Sequence, residues 1–351
     1  MKILKRLAAS LTVVALAFSL TACNTSWVAK SGEDTVSSGV YLFYLLNAYL
    51  NAQQQVSQSQ TGATTDIFAQ KIEDKEARQW MIDQALDDCQ IHAAINKKFA
   101  ELNLTLDDTD KETIESQAES FWETNSSILE LNGIGKASYQ EIYTNTVKQQ
   151  KIFYKLYDKG GANEVKQADI NDYFYKNYYR VKVASIPLVN TSTGEELPAS
   201  DLQKAKAKLD DLLKRYNKGE KADKLIVEYN KAQITESGGD PTLSTDKVEE
   251  TALSKTTSGF DSAFYDAIEK TANGKALCTE GTIQNMKGYF FIEKLDIKGN
   301  ATLVEQNRES ILAEMKSDEF EKTIEQWGKD LKPEFNNAAV NRYKPEKLKT
   351  A

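Results

Sequence analysis

The sequence predicts an α+β protein in which a helical domain is interrupted by a smaller mixed insertion and completed by a helix near the C-terminus. Three observations carry this expectation. All five prolines, Pro187, Pro198, Pro241, Pro333 and Pro345, lie in the second half, so the first half contains no ring that breaks an α-helix. Apolar residues in that first half recur at three- and four-residue steps, as one face of a helix requires. Two late segments, 276–283 and 288–297, instead have strand character, and the short connection Asn285-Met286-Lys287 between them suits an antiparallel hairpin.

The N-terminus is read first. Lys2, Lys5 and Arg6 precede an apolar run from Leu7 to Leu20, and Leu20-Thr21-Ala22-Cys23 fits the lipobox of bacterial lipoprotein signals. That run is shorter than the roughly 20 residues needed to span hydrocarbon. Residues 1–22 are therefore expected to be a cleaved signal peptide, with Cys23 as the lipid-bearing first residue of the mature chain. Two or more acyl chains, each buried methylene contributing about 0.8 kcal/mol, would tether it to the extracytoplasmic face of the cell membrane.

Residues 23–176 are expected to form the helical domain. In Val40–Leu50, Tyr41, Tyr44, Leu45 and Ala48 share a stripe that Leu42, Leu46 and Tyr49 broaden, so this helix needs burial on most sides. The stretch 53–65, rich in Gln, Ser, Thr and Gly, is expected to be a loop. Helices follow over 76–102, 109–131 and 138–158, with Asp108 or Thr109 as an N-cap and Gly133 as a stop. The mixed insertion covers 177–298. A helix over 167–177 leads into a strand over 180–189, and Leu202, Ala205, Leu209, Leu212, Leu213 and Tyr216 mark an amphipathic helix over 199–216 that should cover a small sheet. Residues 299–351 supply the last helix, whose Ile311, Leu312, Met315, Ile324 and Trp327 are expected to pack back on the first domain.

Composition narrows the function. Fifty-two acidic against 44 basic side chains give a net charge of −8, which argues against nucleic acid as a partner because phosphate binding needs clustered cations. Beyond Cys23 only Cys89 and Cys278 remain, far apart, so no disulfide framework is expected. The single histidine, His92, has no second His and no Cys-x-x-Cys near it, so no metal and no Ser/His dyad is expected. The acidic pairs Asp87-Asp88, Asp107-Asp108 and Glu249-Glu250 follow no calcium-loop spacing and read as solvated faces. Phosphate-cradling loops are missing, and no cofactor is expected.

Several local patterns together resemble the PrsA-type foldase lipoproteins and the related SurA chaperones. Val28–Val36, VAKSGEDTV, resembles the opening of their N-terminal chaperone domain. Val165–Leu188 resembles their lead-in helix and first parvulin strand, Ser237–Asp240 (SGGD) matches their Gly-Gly-Asp turn, and Gly288–Leu295 (GYFFIEKL) matches their terminal strand. The resemblance implies a helical chaperone domain with an inserted parvulin-like domain, unfolded exported chains as clients, and peptidyl-prolyl cis-trans isomerase activity. It is compatible with a homodimer. The residues depart from the pattern where that activity is carried. No histidine lies between Val183 and Ile186, Phe290 occupies the second histidine position, and Lys231 or Ala232 stands where the family has Cys or Asp. Catalytic residues are therefore expected to be absent, and the family's apolar pocket to persist as Phe260, Phe264, Phe290 and Ser185.

The barrier to prolyl isomerisation, roughly 18–20 kcal/mol, comes from amide resonance, and a catalyst must favour the twisted amide. Phe and Ser cannot replace the paired donor and acceptor of imidazole. The sequence thus favours client binding without turnover. The pocket itself reads foremost as packing and next as a peptide site; the alternatives for the protein are an active isomerase, or a noncatalytic envelope adaptor in which the pocket is vestigial.

Overall fold

The computed structural model describes residues 26–350 apart from 60–65, 191, 245, 258 and 284–285. Cys23 and the signal segment lie outside the described residues. The fold is α+β, and the described residues divide into two compact units, one formed by those up to Glu164 together with those from Ser317 onward, the other by Val165–Lys316.

The first unit opens with β1 (Trp27–Ser31) and β2 (Asp34–Ser37), an antiparallel pair closed by Gly32 at φ 65°, a left-handed conformation suited to glycine. Helix α1 (Ser38–Ser59) follows, then a small ladder of β3 (Lys71–Ile72) and β4 (Lys75–Glu76). Three long helices complete the forward path: α2 (Ala77–Glu101), α3 (Asp108–Leu131) and α4 (Lys136–Tyr157).

Two local expectations are corrected here. The segment after Leu50 is not a loop throughout: α1 runs on to Ser59, because Ala52 and Val56 continue its buried face into the core between α1 and α2. The cap of α3 is Asp107 rather than Asp108 or Thr109. Its carboxylate accepts from the Asp110 N–H at 2.9 Å while the Asp110 carboxylate accepts from the Asp107 N–H at 2.8 Å, the reciprocal arrangement of a capping box.

The C-terminal segment enters this unit's core. The strand after the last long helix pairs antiparallel with β1, matching Ala29 with Phe335, and Ala339, Leu331, Val340 and Leu348 join the cluster built around Tyr41, Leu45 and Met81. Gly328 lets that last helix approach α2 closely, since a Cβ there would stand 3.3 Å from the Ile91 backbone nitrogen.

The second unit begins with α5 (Gln167–Asn177), which runs without a break into β5 (Tyr178–Pro187). Helices α6 (Ala199–Asn217) and α7 (Ala222–Glu236), strand β6 (Thr251–Ser254) and the short α8 (Ser262–Lys270) follow, then β7 (Lys275–Ile283) and β8 (Met286–Leu295). The final strands are longer towards each other than the sequence suggests. Met286 and Lys287 belong to β8, paired with Ile283 and Thr282, rather than to the turn.

The four strands form one antiparallel sheet in the order β6-β5-β8-β7. Alternation along β5 sends Tyr179, Val181 and Val183 to one face and Ala184 and Ile186 to the other. The second face is covered by α6 and α7 through Leu209, Leu212, Leu225 and Ile226, the first by α8 through Phe264 and Ile268. Besides the sheet and its covering helices, this unit takes in α5, α9 (Ala301–Gln306) and the start of α10 (Arg308–Leu331). Arg308 Nη1 donates to Gln167 Oε1 at 2.6 Å, and the Tyr178 hydroxyl donates to Glu314 at 2.7 Å. β9 (Glu334–Phe335) and α11 (Asn337–Arg342) end the chain in the first unit.

Candidate functional site

The α8 face of the sheet carries an aromatic cluster whose placement starts with one carboxylate. Asp261 caps α8, its Oδ1 accepting from the Phe264 N–H at 2.9 Å, while its Oδ2 accepts from the Thr282 N–H of β7 at 2.9 Å. One side chain thus fixes both the start of the helix and its position on the sheet edge.

Three rings converge there. Phe260 stacks on Phe264 with centroids 4.0 Å apart, and Phe290 meets both edge-on at 5.3 and 5.1 Å, geometries that the ring quadrupoles favour. Glycine makes the space. A Cβ on Gly281 would stand 2.6 Å from Phe264 Cδ2, and one on Gly288 would stand 2.9 Å from Phe290 Cζ. Phe264 is buried at 2% exposure, whereas Phe260 and Phe290 are half-buried and present ring surface at the rim. Tyr265 borders the cluster and its hydroxyl accepts from the Phe260 N–H at 3.3 Å.

The structure therefore brings together Phe260, Phe264 and Phe290, and sets the fourth residue, Ser185, directly across from Phe290 in the β5–β8 ladder. Ser185 is exposed, and its carbonyl accepts from the Tyr229 hydroxyl at 3.0 Å. Lys231 and Ala232 sit on α7, which covers the opposite face. The chemistry available at the aromatic face is apolar contact and ring stacking. Polar groups beside it among the described residues include the Ser185 and Thr279 hydroxyls, whose residues flank Phe290 in the two ladders, the Tyr265 phenol and a carboxylate already committed to two backbone N–H groups.

His92 lies in the other unit, on α2, at 1% exposure. The Tyr44 hydroxyl shares a hydrogen bond with its Nδ1 at 2.9 Å, while Nε2 makes none and stands 3.7 Å from Glu141 Oε1. Burial, with Lys148 as a smaller contributor, lowers its pKa to about 4. The ring is neutral at pH 7, and its approach to Glu141, whose own pKa burial raises, is not an ion pair there. Asp88, one turn earlier on α2, is pushed up to about 6 by burial and by Asp87. The sequence gives no hint of this polar pocket beyond the shared helical face of Asp88, His92 and Ile95, because its other walls come from segments far apart in the chain.

No family model and no curated protein matches the chain. Solved structures do. PrsA from Bacillus subtilis aligns at 18% identity over 82% of this chain and 91% of that chain, with a TM-score of 0.33. Foldase protein PrsA from Streptococcus pneumoniae aligns at 12% identity over 90% and 97%, with a TM-score of 0.42. Foldase protein PrsA from Lactococcus lactis aligns at 13% identity over 92% and 99%, with a TM-score of 0.39. The chain thus spans nearly the whole length of each of these PrsA structures at low identity.

Proposed function

We propose that this protein is a lipid-anchored extracytoplasmic foldase that binds unfolded exported chains and does not catalyse prolyl isomerisation. The observation that carries the proposal is the aromatic face of the second unit. Phe260 and Phe290 offer half-exposed rings at the rim of a packed cluster, and no imidazole belongs to that unit. Such a face holds extended apolar segments by non-directional burial. Among its residues it offers no imidazole pair to favour a twisted amide over a planar one. The parvulin-like frame, 177–298 in the proposed division, then serves as a binding module, with residues 23–176 and 299–351 as the chaperone domain.

Anchoring rests on Lys2, Lys5, Arg6 and the Leu20–Cys23 lipobox. Among the described residues no helix is long and apolar enough to cross a membrane. Replacing Cys23 with Ala is expected to release the protein from the membrane fraction.

The test of function is suppression of aggregation of a chemically unfolded client by the full-length protein in a non-ionic detergent. Suppression that weakens several-fold in Phe260→Ala/Phe290→Ala supports the reading. Suppression unchanged in that variant removes the aromatic face from it, and no suppression at all favours an adaptor. Light scattering on the same preparation tests the homodimer.

A further inference from the structure

In the helical unit, α2, α4 and the part of α10 after Lys316 enclose an open cavity of about 560 Å³, a size that suits a small ligand or a few side chains. Its lining includes Ile91, Ile95, Ile142 and Ile324, with Tyr44 beside them. Four carboxylates, Asp87, Asp88, Glu321 and Glu325, also line it, against one cation, Lys329. Lys329 already stands 3.8 Å from Glu325 along the same helix. Among the described residues Asp88 and Glu321 have no ion-pair partner, and Asp87 makes no direct ion pair, feeling Lys329 and Lys75 only at longer range.

A second feature lies in the cavity wall. His92 lines the same cavity, 1% exposed, with Nε2 lacking a hydrogen-bond partner. A buried polar atom of this kind is ordinarily satisfied by protein, water or ligand. Lys148 does not neutralise the carboxylates, because its ammonium turns to Asn96 Oδ1 at 2.8 Å. The walls therefore combine a largely aliphatic floor with a rim in which four carboxylates outnumber one cation.

We infer that this cavity binds the lysine or arginine side chains of unfolded polypeptides, the aliphatic stem lying on the isoleucine floor and the cationic head meeting Asp87, Asp88 and Glu321. Long basic side chains divide in this way, apolar along the stem and charged at the tip. The inference rests on the proposal that the protein binds unfolded chains, and it adds a charge preference that the aromatic face cannot supply. A cationic segment in the helical unit and an apolar one on the sheet would then be held by separate sites.

The test uses full-length protein in non-ionic detergent and three fluorescent peptides of one aliphatic sequence, differing only in Lys, Gln or Glu at two positions. Anisotropy is expected to show the Lys peptide bound at least about fivefold more tightly than the Gln peptide, as partly desolvated charge pairs allow. That preference is expected to fall away in Asp87→Asn/Asp88→Asn, but not in Glu112→Gln/Glu115→Gln, which makes the same change of net charge on the exposed side of α3. Equal binding of the three peptides, with client aggregation still suppressed, overturns this inference alone. Absence of all peptide binding together with uncontrolled aggregation overturns the functional proposal as well. Occupancy by spermidine but by none of the peptides overturns the assignment to a polypeptide.

Discussion

Gly281→Ala is the sharpest probe of how the aromatic face is built. The added methyl would stand 2.6 Å from Phe264 Cδ2 and 3.1 Å from a Phe260 ring carbon. The Phe264 ring has nowhere to swing, since Phe260 is stacked on it at 4.0 Å, Phe290 abuts it at 5.1 Å, and only 2% of the residue is exposed. Overpacking of this kind costs about 1–3 kcal/mol. Part is offset, because Ala is favoured over Gly in a strand interior by roughly 0.5–1 kcal/mol. The expected net loss is about 1–2 kcal/mol. It should appear as a lower urea midpoint and as faster amide exchange in β7 and α8. In a Phe264→Leu background the clash is relieved and the cost of Gly281→Ala should shrink to under about 0.5 kcal/mol, giving a coupling measurable by a double-mutant cycle. An equal cost in both backgrounds would refute the packing argument.

Other perturbations have equally definite outcomes. Asp261→Ala removes the α8 cap and the tie to Thr282, so stability should fall by about 1–2 kcal/mol in urea titration. Asp107→Ala breaks the capping box of α3, so the urea midpoint should fall in the same titration. Asp88 has a pKa raised to about 6 in the folded state, so it favours folding at low pH and that contribution disappears as pH rises through 6. Asp88→Asn should therefore stabilise the protein by about 1–2 kcal/mol at pH 7.5, discounted for partial exposure, and by nearly nothing at pH 4. His92 runs the other way. Its pKa is lowered from 6.5 to about 4, so its contribution is present above pH 6.5 and lost as pH falls towards 4, about 3 kcal/mol in all. His92→Gln should flatten that limb of the stability profile, and an unchanged slope would show that the imidazole is not held neutral by burial.

Periodicity made the architecture legible. The isoleucine and leucine stripe of α10 and the alternation along β5 are properties of single segments, and they read directly as helix and strand. What escaped the sequence depends on partners elsewhere in the chain. The Gln- and Ser-rich end of α1 looks like a loop until Ala52 and Val56 are seen to face the core. Strand β6 is four residues long and exists because Tyr178–Val181 pairs with it. At the aromatic face, the positions of Phe260, Phe264 and Phe290 came from resemblance, yet the reason they fit, Gly281 and Gly288 facing the rings, is visible only in three dimensions. Of the acidic pair, Asp87 is exposed as the sequence suggests, whereas half-buried Asp88 looked equally solvated, since the other helices lining its cavity lie some 50 and 230 residues further along the chain.

The central claim, that the aromatic face holds segments of unfolded chains without catalysing prolyl isomerisation, is tested most directly by NMR exchange spectroscopy on an isotope-labelled apolar peptide containing Ala-Pro with the full-length protein. The account predicts line broadening of the peptide that diminishes in Phe290→Ala, with cis and trans signals interconverting no faster than the uncatalysed tens to hundreds of seconds. Exchange cross-peaks on the timescale of a second or less, lost in the same variant, would contradict it and show that an apolar face without histidine suffices for catalysis.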